Sequence, residues 1–186
     1  MARTATANND LLEYAQKEGL DLALLQEPYA RYGRITGLET APFRIIISPG
    51  TKQEGGHNIL HGAAIVIFNP ALTVLARNDL TCENFAVATI KLGDEEDINL
   101  ISAYFKFRKP TSEMLETLQR LKQKCGHRTI IGGDINAFST RWGSKKTNNK
   151  GKLVEEFIDN EQLVLINKDN HTRFLDREGR TTLTSH

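Results

Sequence analysis

Apolar residues along the 186-residue chain follow two periodicities. Runs of strand length occupy 43–47, 63–68, 72–75, 85–92, 98–105, 128–131 and 163–166. Several are rich in β-branched residues and end at Gly, Pro, Asn or Asp, the residues that interrupt strands. Three segments repeat at helical spacing instead: Leu11, Leu12 and Ala15; Met114, Leu115, Leu118, Leu121 and Cys125; and Leu153, Val154, Phe157 and Ile158. Asn9 or Asp10 can cap the first, Thr111 after Pro110 the second, and the polar run before Gly151 opens the third. Consecutive strands in the middle, flanked by helix–strand units, predict stacked sheets covered by helices, with the active edge at strand ends. The loose stretch 48–62 reads as a loop between two strands, so residues 1–186 are expected to form a single domain.

Two of the helix–strand units share a design. NDLLEYAQKEG with LDLALLQE, and SEMLETLQRLKQKCG with HRTIIGGD, each run from an amphipathic helix through a C-terminal glycine and a short apolar strand to a carboxylate. Gly19 precedes Glu27 by eight residues, and Gly126 precedes Asp134 by the same eight. Within one sheet system the two acids would leave their strands at equivalent ends and share a cleft; the competing reading is ordinary α/β spacing. A third unit, ending in LVLIN, repeats the scheme more loosely.

Composition narrows the class. With 39% apolar and 25% charged residues, the chain is neither disordered nor collagen-like. The longest apolar run, 63–68, is far short of the roughly 20 residues that span a bilayer, and MARTATANND lacks a signal-peptide core. A soluble intracellular protein without a membrane partner is expected. Two cysteines, Cys82 and Cys125, form neither a CxxC pair nor a disulfide framework. A net charge of +1 supplies no global attraction to polyanions, so a nucleic-acid site must come from local clustering.

Candidate chemistry concentrates at strand ends. Glu27 follows an apolar strand and precedes Pro28; a carboxylate there is hydrated, hydrogen-bonded or bound to a hard cation such as Mg²⁺ or Mn²⁺, and a plain turn acid is the alternative. In TIIGGDINA the glycines permit a tight turn, and Asp134 and Asn136 alternate toward one face, so one can hold a water and the other donate to a phosphoryl oxygen; an Asx-rich turn competes. Tyr104 closes a long strand as either a phosphate donor or a core tyrosine. Five basic residues surround Trp142 in 141–152, among them Arg141, Lys145 and Lys146, and KFRK at 106–109 adds three more. Basic charge beside an aromatic plate suits a sugar-phosphate backbone, and a solvated loop is the bland alternative. The five histidines have no metal-binding spacing, and neither a serine nucleophile elbow nor a Walker loop occurs.

Taken together, LLQEPY, GAAIVIFNP, ISAYF and IIGGDINAFSTRWGS, followed by NNKGKLVEEFIDNEQLVLIN, closely resemble the apurinic-like endonuclease domain of non-LTR retrotransposons, in the endonuclease/exonuclease/phosphatase superfamily. The resemblance runs over about 8–184. It implies a four-layer α/β/β/α sandwich of two mixed sheets flanked by helices. It also implies Mg²⁺- or Mn²⁺-dependent nicking of DNA to prime reverse transcription, in the nucleus. By position Glu27 corresponds to the metal-binding glutamate, Tyr104 to the phosphate-contacting tyrosine, and Asp134 and Asn136 to the pair that orients nucleophile and phosphate. Arg141, Trp142, Lys145 and Lys146 are the expected DNA contacts.

Departures accompany the matches. The family's first strand, with its asparagine, and its terminal Ser-Asp-His lack counterparts, because Ser185 and His186 stand without an intervening Asp. Phe138 occupies a position that is polar in many members. The expectation is therefore a truncated copy with metal and phosphate groups but an incomplete acid/base set, and weak nicking. A catalytically dead DNA-binding remnant and a phosphatase of the same superfamily are the rival readings.

Overall fold

The computed structural model describes residues 5–31, 34–38, 43–52, 59–166, 173–175 and 181–183. In chain order the elements are α1 (Ala5–Glu18), β1 (Leu22–Gln26), β2 (Ala30–Arg31), β3 (Arg34–Ile35), β4 (Arg44–Ile47), β5 (Thr51–Lys52), β6 (Ile59–Leu60), β7 (Ala63–Ile67), β8 (Thr73–Ala76), β9 (Phe85–Leu92), β10 (Glu95–Tyr104), α2 (Thr111–Cys125), β11 (Thr129–Asp134), a 3₁₀ turn (Thr140–Trp142), α3 (Asn149–Asn160), β12 (Arg173–Leu175) and β13 (Thr181–Leu183). They form two compact units, Met1–Arg108 with Arg120–Ile135, and Lys109–Gln119 with Asn136–His186.

The first unit is an α/β sandwich. Strands β1, β7 and β4 make one sheet in that order, and β11, β10, β9 and β8 make the other. Among the described pairings only β10 with β11 is parallel. The reason β7 is apolar at every position lies in its place: all five residues are buried, and side chains alternate between two cores. Ala63, Ile65 and Ile67 meet Ile46, Ala86, Ala88, Ile90 and Leu100 between the sheets. Ala64 and Val66 meet Leu25, Ile35 and Leu38, with Leu11 and Leu12 of α1 closing over them.

Both helix–strand units turn as the shared pattern implies. Gly19 (φ 64°) and Gly126 (φ 89°) take the left-handed conformation that ends α1 and α2. Each following strand is an edge, β1 of one sheet and β11 of the other. Asn99 of β10 donates to the Cys125 carbonyl at 2.7 Å, fastening the end of α2 to the four-stranded sheet.

Two sequence expectations are corrected. The first helix begins at Ala5, so Asn9 and Asp10 lie within it and cap nothing. The polar run has a tertiary purpose: Asn8 is fully buried, and its amide donates to the carbonyls of Tyr29 (3.0 Å) and Thr36 (2.7 Å). Residues 163–166 form no strand. Their exposure alternates as a strand's would, with Val164 and Ile166 open to solvent, but they find no pairing partner among the described residues, and backbone without a ladder is not sheet.

In the second unit α3 is capped as the sequence suggests, with the Asn148 side chain accepting from Gly151 N at 2.7 Å. Gln119 donates to Glu161 at 2.6 Å. β12 and β13 form the terminal hairpin, Arg173 opposite Leu183.

Candidate active site

Three strands deliver the predicted acids and tyrosine to one edge of the first unit. In the parallel pair β10–β11, Tyr104 lies opposite Asp134, so the last residues of both strands share that edge. Strand β1 of the facing sheet reaches it too. Ser102 Oγ donates to the Leu25 carbonyl at 2.9 Å and accepts from Gln26 Nε2 at 3.2 Å, only two residues before Tyr104 and one or two before Glu27. Beside it, a side chain at Gly132 would meet Leu24. Leu24 of one sheet thus packs directly over Gly132 of the other, two residues before Asp134.

The backbone completes the link from Glu27 to Tyr104. Glu27 N donates to the Gly62 carbonyl at 2.9 Å, and Tyr104 N donates to the Asn84 carbonyl at 2.9 Å. Gly62 packs on Asn84, where an added Cβ would lie 3.0 Å from Asn84 Cα. Phe105 N in turn donates to the Asp134 carbonyl at 2.8 Å. Glu27 is half-buried, Tyr104 nearly buried and Asp134 exposed. Gly133 has no room for a side chain, because its Cβ would overlap the Ala103 carbonyl.

Three non-glycine residues among those described have positive φ, and two are predicted site residues: Glu27 (φ 50°) and Asn136 (φ 51°). That conformation costs an L-residue roughly 1–2 kcal/mol, and such strain gathers at sites where the surrounding structure dictates an orientation. Asn136 belongs to the second unit, two residues along the chain from Asp134. From there 137–148 is a loop braced by internal hydrogen bonds. Trp142 Nε1 donates to the Ala137 carbonyl at 3.1 Å, and Ser139 is wholly buried and donates to Glu155. Ser139 also caps the 3₁₀ turn by accepting from Arg141 N at 2.9 Å.

The expected DNA contacts divide in two. Arg141 pairs with Asp159 at 2.8 Å, and Trp142 is half-buried with its indole nitrogen used within the loop. Lys145 and Lys146 are exposed and have no ion-pair partner among the described residues. In KFRK, Lys106 is held between Glu83 and Thr51. His186 lies outside the described residues. Ser102 and Phe138 were not singled out as site residues. A lone hydroxyl in the apolar run ISAYF was the available signal for Ser102, and an exposed ring in a turn was the signal for Phe138.

The donors at this edge are hard oxygens, Glu27 and Asp134 carboxylates, beside a tyrosine. No cluster of three His, Cys, Asp or Glu occurs among the described residues. Two carboxylates with water filling the remaining positions suit Mg²⁺, which keeps several waters, better than they suit a fully protein-caged ion.

Comparison with known proteins agrees with this architecture. The family described as "Endonuclease-reverse transcriptase" matches residues 98–184. The Pol polyprotein of the type-1 retrotransposable element R1 from Bradysia coprophila is 30% identical over 145 residues, 73% of this chain; the chain spans 14% of that relative's length. The endonuclease domain of TRAS1, a telomere-specific non-LTR retrotransposon, superposes with a TM-score of 0.79 and 31% identity over 92% of this chain and 74% of that one. The chain belongs to the endonuclease domains of non-LTR retrotransposons, within the endonuclease/exonuclease/phosphatase superfamily. Among the described residues no helix is long and apolar enough to cross a membrane.

Proposed function

We propose that this chain is a divalent-cation-dependent DNA endonuclease that nicks target DNA in the nucleus and exposes the 3′-hydroxyl from which reverse transcription starts. The observation that carries the reading is the meeting of Glu27 with the Tyr104–Asp134 strand pair at one edge, reached through the Ser102–Leu25 bond. Glu27, with Asp134 beside it, would hold Mg²⁺ or Mn²⁺. Bound there, the cation would polarise the phosphoryl group and stabilise the departing oxyanion. Asp134 accepts a hydrogen bond from the attacking water and keeps it in line with the scissile bond. Asn136 donates its amide, and Tyr104 its hydroxyl, to the non-bridging phosphate oxygens where negative charge accumulates. Lys145 and Lys146 attract the neighbouring backbone phosphates.

Relaxation of supercoiled plasmid in Mg²⁺ tests the reading. The chain should produce open circles, and Asp134→Ala should produce none. Equal nicking by the two proteins would refute it. Salt-sensitive DNA binding with no nicking would instead select the second reading, a binding module, which exposed Lys145 and Lys146 favour over a phosphatase of small molecules.

A further inference from the structure

Phe138 is 52% exposed, two residues beyond Asn136. A phenyl ring in water is unfavourable, and the backbone that carries this one is held at both its polar groups. Phe138 N donates to Asn148 Oδ1 at 3.2 Å, and its carbonyl accepts from Asn148 N at 2.9 Å. The same carbonyl rests on Gly151, where any side chain would overlap it. On either side Ala137 is tied to Trp142 and Ser139 to Glu155. Three successive residues are thus fixed from α3 and the 3₁₀ turn, and the ring is presented outward. Lys145 and Lys146 are exposed in the same loop, while of the α3 acids Asp159 is paired with Arg141 and Glu155 accepts from Ser139 and Thr147.

We infer that Phe138 is a stacking platform for a nucleobase of the bound DNA, adjacent to the phosphate held by Asn136. An exposed ring on a fixed backbone, in a loop that also exposes Lys145 and Lys146, fits a ligand that offers an unstacked base and a phosphate backbone, and stacking of this kind is tolerant of base identity. The inference rests on the nuclease reading for its location and adds to it a contact on the base rather than on the phosphate. A preorganised ring loses little conformational entropy when the base arrives.

The test uses the 186-residue chain and duplexes that carry 2-aminopurine at successive single positions. The unsubstituted chain should change the emission of the probe at one position. Phe138→Leu should abolish that change and weaken binding about fivefold or more, from the low end of the stacking contributions found in single-strand binders. Phe138→Tyr should restore both, and neither variant should shift Tm, because the ring is exposed. If Phe138→Leu binds and perturbs the probe as the unsubstituted chain does, the stacking inference is wrong whether or not the chain nicks plasmid. If the probe responds to Phe138 but plasmid is never nicked, stacking stands and the catalytic reading falls. If the unsubstituted chain binds no DNA, both fall.

Discussion

At the scale of single residues, some groups at the edge hold it together and others act there. Glu27 adopts φ 50°, a conformation that glycine reaches without cost. Glu27→Gly should therefore melt no lower than the unsubstituted chain while losing divalent-cation binding; a large fall in Tm would show that the carboxylate is structural. Ser102 is the opposite case. Its buried hydroxyl donates to Leu25 and accepts from Gln26, and Ser102→Ala should cost about 1–3 kcal/mol in chemical denaturation, as expected when a buried carbonyl loses its donor. Burial pushes the Cys125 thiol up from its ordinary value of 9.0, the neighbouring Arg77 opposing the shift. The folded state prefers the neutral thiol. Its stabilisation is accordingly complete below the ordinary value and is lost as pH rises through the folded one. Alkylation by iodoacetamide at about pH 8 should be slower at Cys125 than at a free cysteine peptide, and denaturing the chain should remove the difference.

At the scale of elements, the parts of the fold visible in the amino-acid pattern were those governed by local chemistry. The helix–glycine–strand–carboxylate units announced themselves because a left-handed C-terminal glycine and a strand-ending acid are short-range signals, and Gly19 and Gly126 take that conformation. Tertiary demands were hidden. Asn8 carries no local signal of its burial, because its bonds to Tyr29 and Thr36 depend on residues more than 20 positions away. The stretch 163–166 had strand composition, but a strand exists only where a partner supplies its ladder. The loop before α3 is intermediate: the polar run before Gly151 was legible as a helix opening, whereas the choice of Asn148 within it and its second grip on Phe138 were not. Asn148→Ala removes both and should lower stability by about 1 kcal/mol or more, read by denaturant titration; an unchanged midpoint would show that the loop does not depend on it.

At the scale of the whole first unit, two sheets approach each other where β1 and β11 form matching edges, and the approach depends on absent side chains. Leu24 fits over Gly132, and Gly133 lies against Ala103. The acids that begin as a coincidence of spacing, each eight residues after a glycine, are thereby carried to the same end of the sandwich. The most direct measurement of that claim is Mn²⁺ titration of the unsubstituted chain, Glu27→Gln, Asp134→Asn and the double variant, followed by the paramagnetic relaxation of solvent water. If both carboxylates serve one ion, each single change weakens binding and the double change adds less than the sum of the two. Mn²⁺ affinity unaltered by both single substitutions, or strictly additive losses, would contradict the shared site.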